Sequence, residues 1–166
     1  MKNIIFIGMP TSGKSTIGIV LAKRLGYRFI DTDLLIQEQE GKLLSELIAE
    51  KGNDGFLAIE NQVNRDVEAE NAVIAPGGSV VYCHEAMEHF KKIGTVVYLK
   101  MSYETLMSRI HDPKKRGVVL KDGQTMHMLY DERVQLFERY ADVVFDEDLY
   151  DWEEMTDRVM EALQGI

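Results

Sequence analysis

The sequence has one cysteine, Cys83, one tryptophan and three prolines among its 166 residues. A single thiol excludes an intrachain disulfide, so a reducing compartment, the cytoplasm, is the expected home. Cys83 itself reads as a small, partly buried residue rather than a nucleophile. No apolar stretch approaches the roughly 20 residues of a membrane-spanning helix. The opening "MKNIIFIGM" has the charge and apolar run of a signal peptide, yet the run is too short and leads into a glycine loop instead of a cleavage site. Positive charge is also scarce. The 19 Lys and Arg face 28 Asp and Glu, a formal net charge of −9. That balance repels a nucleic-acid backbone or an anionic membrane face, but leaves local basic spots able to bind a small anion. Repeats, low-complexity tracts and linkers are missing too, so the chain is expected to fold as one domain.

Short apolar runs alternate with helical patterns. "NIIFIG" has the length and continuity of a strand buried on both faces. Ile17, Val20, Leu21 and Leu25 then recur at helical spacing, with Gly26 as the expected C-cap. "YRFIDTD", "AVIAPGGS", "GTVVYLK" and "DVVFD" read as further strands. Helices are expected at about 34–40, 43–50, 56–70, 84–92, from Ser102, at 125–140 and at 152–163. The aperiodic stretch "HDPKKRGVVLKDGQ" (111–124) is expected to be a mobile loop. Five strands alternating with helices predict an α/β three-layer sandwich around a parallel sheet. Ligands of such sheets bind beyond the carboxyl ends of the strands, where three motifs would open onto one crevice.

The first is "GMPTSGKST", in which Gly8, Gly13, Lys14 and Ser15 keep the spacing of a loop that wraps phosphates, between a strand and a helix. Backbone amides and the helix N-terminus suit a polyphosphate; Lys14 would reach the outer phosphates and Ser15 would ligate Mg²⁺. The second, "IDTD", places Asp31 and Asp33 two apart. In an extended stretch they would face one way, one serving the metal and the other the attacking hydroxyl; otherwise an Asp simply caps the next helix. The third, "PGGS", lets backbone approach a ligand closely. Arg116 in the loop and Arg133 on the helix after it are further candidates. A solvated basic loop would explain the first, and a surface pair with Glu132 the second.

On these residues the chain resembles the shikimate kinases, small P-loop kinases of the nucleoside-monophosphate kinase type with a mobile lid. The match is collinear from Asn3 to about Asp148 and is carried by "GMPTSGKSTIGIVLAKRLGYRFIDTD", "GGS", "GTVVYLK" and "ERVQLFERYAD". The resemblance implies ATP-dependent transfer of a phosphoryl group to a hydroxyl of shikimate, with Mg²⁺, by a monomer. It implies that Gly8, Pro10, Thr11, Ser12, Gly13, Lys14, Ser15 and Thr16 hold ATP and that Ser15 and Asp31 serve the metal. Asp33, Gly77, Gly78 and Ser79 would meet the acceptor's hydroxyl side, and Arg133 its carboxylate. Arg116 would be the lid arginine on the phosphates, and Arg109 would lie near the adenine. Lys14, Asp33 and Arg116 would form the catalytic set.

Departures cluster on the acceptor side. In "GFLAIE", Phe56 and Glu60 match the family, but Leu57 stands where a second carboxylate-binding arginine is usual. Losing a charged hydrogen bond weakens binding by roughly tenfold to a hundredfold. Ser79 replaces a third glycine, Gly117 follows Arg116 in place of proline, and Gln135 replaces the proline of the late motif. A different hydroxy acid or a polyol as acceptor, and a nucleotide-binding regulator without turnover, are the competing readings.

Overall fold

A computed structural model describes residues 3–112, 118 and 120–164. Five parallel strands form one sheet: β1 (Asn3–Ile7), β2 (Arg28–Asp31), β3 (Ala72–Ala75), β4 (Gly94–Lys100) and β5 (Val143–Asp146). Five parallel strands are what the alternating pattern predicts; their order is β2-β3-β1-β4-β5. β1 pairs with β3 through Ile4↔Val73 and Ile5↔Ile74, and with β4 from Asn3↔Gly94 to Ile7↔Tyr98. β1, at the centre, is buried throughout; β2 and β5, at the edges, are only partly covered.

Side chains leave a strand alternately to its two faces, and this divides the core. Ile5 and Ile7 join Ile74, Val96 and Tyr98 on one face; Ile4 and Phe6 join Val73, Val97 and Leu99 on the other. The second face is covered by α1 (Lys14–Leu25) and α7 (Trp152–Gln164), through Ile17, Leu21, Met155 and Val159. The first is covered by α4 (His84–Ile93) and α6 (Met126–Tyr140), where Phe137 stacks on Tyr98 with ring centroids 4.9 Å apart. α5 (Tyr103–Arg109) starts at Ser102, whose hydroxyl accepts from Thr105 N.

Between β2 and β3 lie α2 (Thr32–Glu40) and α3 (Leu44–Arg65), joined by a small core of Ile36, Leu47, Phe56 and Val63. The two helices expected at 43–50 and 56–70 are two arms of α3, kinked at Gly52 (φ 71°) and ending at Arg65. β2 stops at Asp31, so Asp33 belongs to the first turn of α2 and not to a strand. Beyond β3, Gly78–Tyr82 forms a 3-10 turn that the sequence pattern did not predict. Arg116 and Gly117 lie outside the described residues. No helix among the described residues is long and apolar enough to cross a membrane.

Candidate active site

The loop after β1 turns into α1 without a capping side chain. Gly13, at the N-cap, has φ 80° and Thr11 has φ 70°. For a β-branched residue the left-handed region is strained, and such strain concentrates where a loop is shaped for a ligand. First-turn amides left uncapped, at the positive end of a helix, favour an anion. Lys14 is only 9% exposed. Its Nζ donates to Gly8 O (2.9 Å), Met9 O (2.8 Å) and Ser12 Oγ (3.4 Å). Burial draws its pKa down to about 8, although Asp33, Glu147 and Asp31 pull upward. A cavity of about 480 Å³ opens here, walled by 11–16, Arg109 and the half-exposed Trp152.

Trp152 comes from the first residue of α7, and its Nε1 lies 3.1 Å from where a Cβ on Gly13 would sit. Arg109, at the end of α5, donates to Thr11 O at 3.0 Å and stands 3.6 Å from Glu147 Oε1. Glu147 is buried and, among the described residues, neither carboxylate oxygen accepts a hydrogen bond. Burial pushes its pKa up to about 7 against the pull of Arg109 and Lys14.

Asp31 caps α2: its Oδ1 accepts from Asp33 N (2.9 Å) and Leu34 N (3.4 Å). The capping role and the functional candidacy therefore coexist in one residue. The two carboxylates are brought together by a helix cap, not by the two-residue repeat of a strand. Desolvation first, and the Asp31 charge second, push Asp33 up to about 6, while Lys14 pulls it down. Among the described residues no group of three or more His, Cys, Asp or Glu is placed to hold a metal. Of the two residues expected to serve a metal, Ser15 offers a hydroxyl and Asp31 a carboxylate, both hard oxygen donors. Such a sparse set fits a Mg²⁺ ion that arrives with phosphates and keeps much of its water.

The turn after β3 draws both halves together. A Cβ on Gly77 would lie 2.9 Å from Asp33 Oδ1 and 3.2 Å from Glu60 Oε2; one on Gly78 would lie 3.0 Å from Pro10 Cδ and 3.1 Å from Arg133 Nη1. Larger residues would displace these groups, so the glycines set how closely the phosphate loop and the acceptor side approach. Ser79 donates to Glu60 Oε1 at 2.6 Å. Glu60 is fully buried, its Oε2 has no partner among the described residues, and burial pushes its pKa up to about 8. Arg133 is 4% exposed, with its guanidinium 5.6 Å from the Tyr82 ring centroid. It is no surface partner of Glu132, which instead accepts from Tyr82 Oη at 2.6 Å. Leu57, Ser79, Tyr82 and Arg133 line a second cavity of about 50 Å³. Cys83 is buried beside it with its thiol pushed up to about 12, unsuited to nucleophilic work near neutral pH.

Motif spacing alone did not reveal Trp152, Glu147 or Lys121, which lines the second cavity. Glu60 matches the family pattern in "GFLAIE", but that match by itself gives it no role. Trp152 had one faint signal, as the only tryptophan, starting the last helix.

The parallel sheet, the phosphate loop after its central strand and the carboxylates at the next strand end define a P-loop phosphotransferase of small-molecule type. A family model described as "Shikimate kinase" matches residues 10–164, and the chain belongs to that family. It is 33% identical to a shikimate kinase of Persephonella marina over 138 residues, covering 82% of this chain and 84% of the relative. A shikimate kinase of Clostridium botulinum is 36% identical over 148 residues, 87% of each chain. The fold matches that of Acinetobacter baumannii shikimate kinase in complex with shikimate, with a TM-score of 0.85 at 21% identity, over 99% of this chain and 94% of that one.

Proposed function

We propose that this protein transfers the γ-phosphoryl group of ATP to a hydroxyl of shikimate, giving shikimate 3-phosphate and ADP. The observation that carries the reading is the meeting at Gly77 and Gly78 of Asp33, Glu60 and Arg133 with Pro10 and Gly8 of the phosphate loop. Donor and acceptor groups converge there, and bringing reactants into line is most of what phosphoryl transfer needs.

In this reading the amides of the loop and the N-terminus of α1 cradle the phosphates. Lys14 exchanges its backbone carbonyl partners for phosphate oxygens and follows the charge that develops on them. Arg109 and Trp152 flank the nucleotide base. Asp33 accepts the acceptor's hydroxyl proton as the oxygen forms its bond to phosphorus and the bond to ADP breaks. Its pKa of about 6 leaves it largely ionised at neutral pH yet more basic than an ordinary carboxylate. Ser15 and Asp31 would hold Mg²⁺, which neutralises phosphate charge when bound with the nucleotide. Arg133 receives the acceptor's carboxylate, and Arg116 is assigned to the phosphates on the family pattern alone.

The deciding experiment is ADP release from purified protein with ATP, Mg²⁺ and shikimate, set against a control without acceptor, with the product identified by ³¹P NMR. Saturable turnover to a phosphate monoester is expected. Background hydrolysis alone would leave the donor side standing and overturn the acceptor. One observation favours a second reading, a different hydroxy acid or polyol: Leu57 presents an apolar wall to the acceptor cavity where the family pattern has a cation.

A further inference from the structure

We propose that Lys121 supplies the second cation for the acceptor's carboxylate, in place of the charge that Leu57 lacks; the inference rests on the shikimate assignment above. Lys121 and Leu57 line the same small cavity, together with Arg133, Asp54, Glu132 and Gln124.

The backbone that carries Lys121 is fixed from both sides. Gln124 N donates to Lys121 O at 2.9 Å, and Lys121 N donates to Gln124 Oε1 at 3.1 Å, closing a turn with Gly123 at φ 76°. Upstream, Val118 is 2% exposed and packed in the main core. Downstream, Thr125 caps α6 by accepting from Met128 N, and α6 carries Arg133. Lys121 and Arg133 are thus presented to the cavity by one continuous, anchored stretch.

Charge decides the role. Two carboxylates, Asp54 and Glu132, face the cavity beside the two cations. Without Lys121 they would outnumber Arg133, and the wall would repel an anion. Arg133 Nε has no hydrogen-bond partner among the described residues, so one carboxylate oxygen of the acceptor can satisfy the buried guanidinium. The other oxygen then falls to Lys121. Lys121 is an exposed residue, so its charge comes at little desolvation cost.

The test compares wild type, Lys121→Met, Lys121→Arg and the double variant Leu57→Arg/Lys121→Met by ADP release at low ionic strength. Acceptors are shikimate and its neutral methyl ester, the ester being measured as substrate or as competitive inhibitor. Lys121→Met should raise the KM for shikimate by about tenfold, with the ATP KM unmoved and kcat within about twofold. The ester should respond to neither change, and added salt should shrink the difference between wild type and Lys121→Met. Lys121→Arg should stay near wild type, and Leu57→Arg should restore binding in the Lys121→Met background. Acid and ester KM rising together, or a shikimate KM that Lys121→Met leaves unmoved, would overturn the role of Lys121 alone. A wild type that turns over no shikimate would overturn the acceptor assignment and this inference with it.

Discussion

Ser79 Oγ donates a 2.6 Å hydrogen bond to Glu60 Oε1, tying the turn after β3 to the middle of α3 across the floor of the site. The serine stands where the family pattern has a glycine, and its hydroxyl is what the buried Glu60 carboxyl gains from the change. Burial outweighs that bond and holds Glu60 up at about 8, so the group is largely protonated at neutral pH in the folded chain. An unfolded Glu60 would lose its proton near 4.5. The folded state therefore binds the extra proton between those values, and its stability falls as pH rises across that window. Glu60→Gln, which mimics the protonated form, should flatten this slope in chemical-denaturation curves at pH 5 and pH 8. A slope unchanged by the substitution would assign it to other groups.

If Asp33 is the base proposed above, it should give a separate pH signature in catalysis. With its carboxyl raised to about 6, kcat/KM for the acceptor should fall about tenfold per pH unit below that value. Asp33→Asn should lose most of the activity and the acid limb together. A profile flat from pH 5 to 7 would remove Asp33 from the role of base.

Lys14 is bonded to two backbone carbonyls and a hydroxyl of its own loop, so the loop is shaped around a cation before phosphate arrives. Lys14→Ala should lower kcat by at least about a hundredfold. Its circular dichroism should match that of the wild type, since the sheet and both core layers are untouched. Unchanged kcat would refute the assignment.

Trp152 is the only tryptophan and walls the cavity at the phosphate loop, so its fluorescence reports on that cavity alone. ATP or ADP should change the emission saturably. Stacking of a base on an aromatic ring contributes about 1–3 kcal/mol, so Trp152→Ala should weaken nucleotide binding roughly tenfold while leaving the acceptor KM in place. Emission that ignores nucleotide would put the base elsewhere.

The sequence carried the alternation of strands and helices, the parallel sheet, the position of the phosphate loop and the Gly26 cap of α1, because each is encoded by residues a few positions apart. "NIIFI" must be buried on both faces, and a glycine-rich turn between strand and helix has few other uses. Even so, local reading left Asp33 between two placements: an extended stretch and an Asp-capped helix start look alike until the chain's path is known, and the structure has the second. What only the tertiary structure decided depends on helices packing over the sheet. Glu60 meets Ser79 because α3 lies against the turn after β3, and Arg133 is buried beside Gly78 because α6 covers the same end. Trp152 reaches Gly13 because α7 returns to pack on α1. In each case the contact is made with neighbours distant in the chain, and no local pattern records them; for Glu60 those neighbours also bury the carboxyl and so set its charge state.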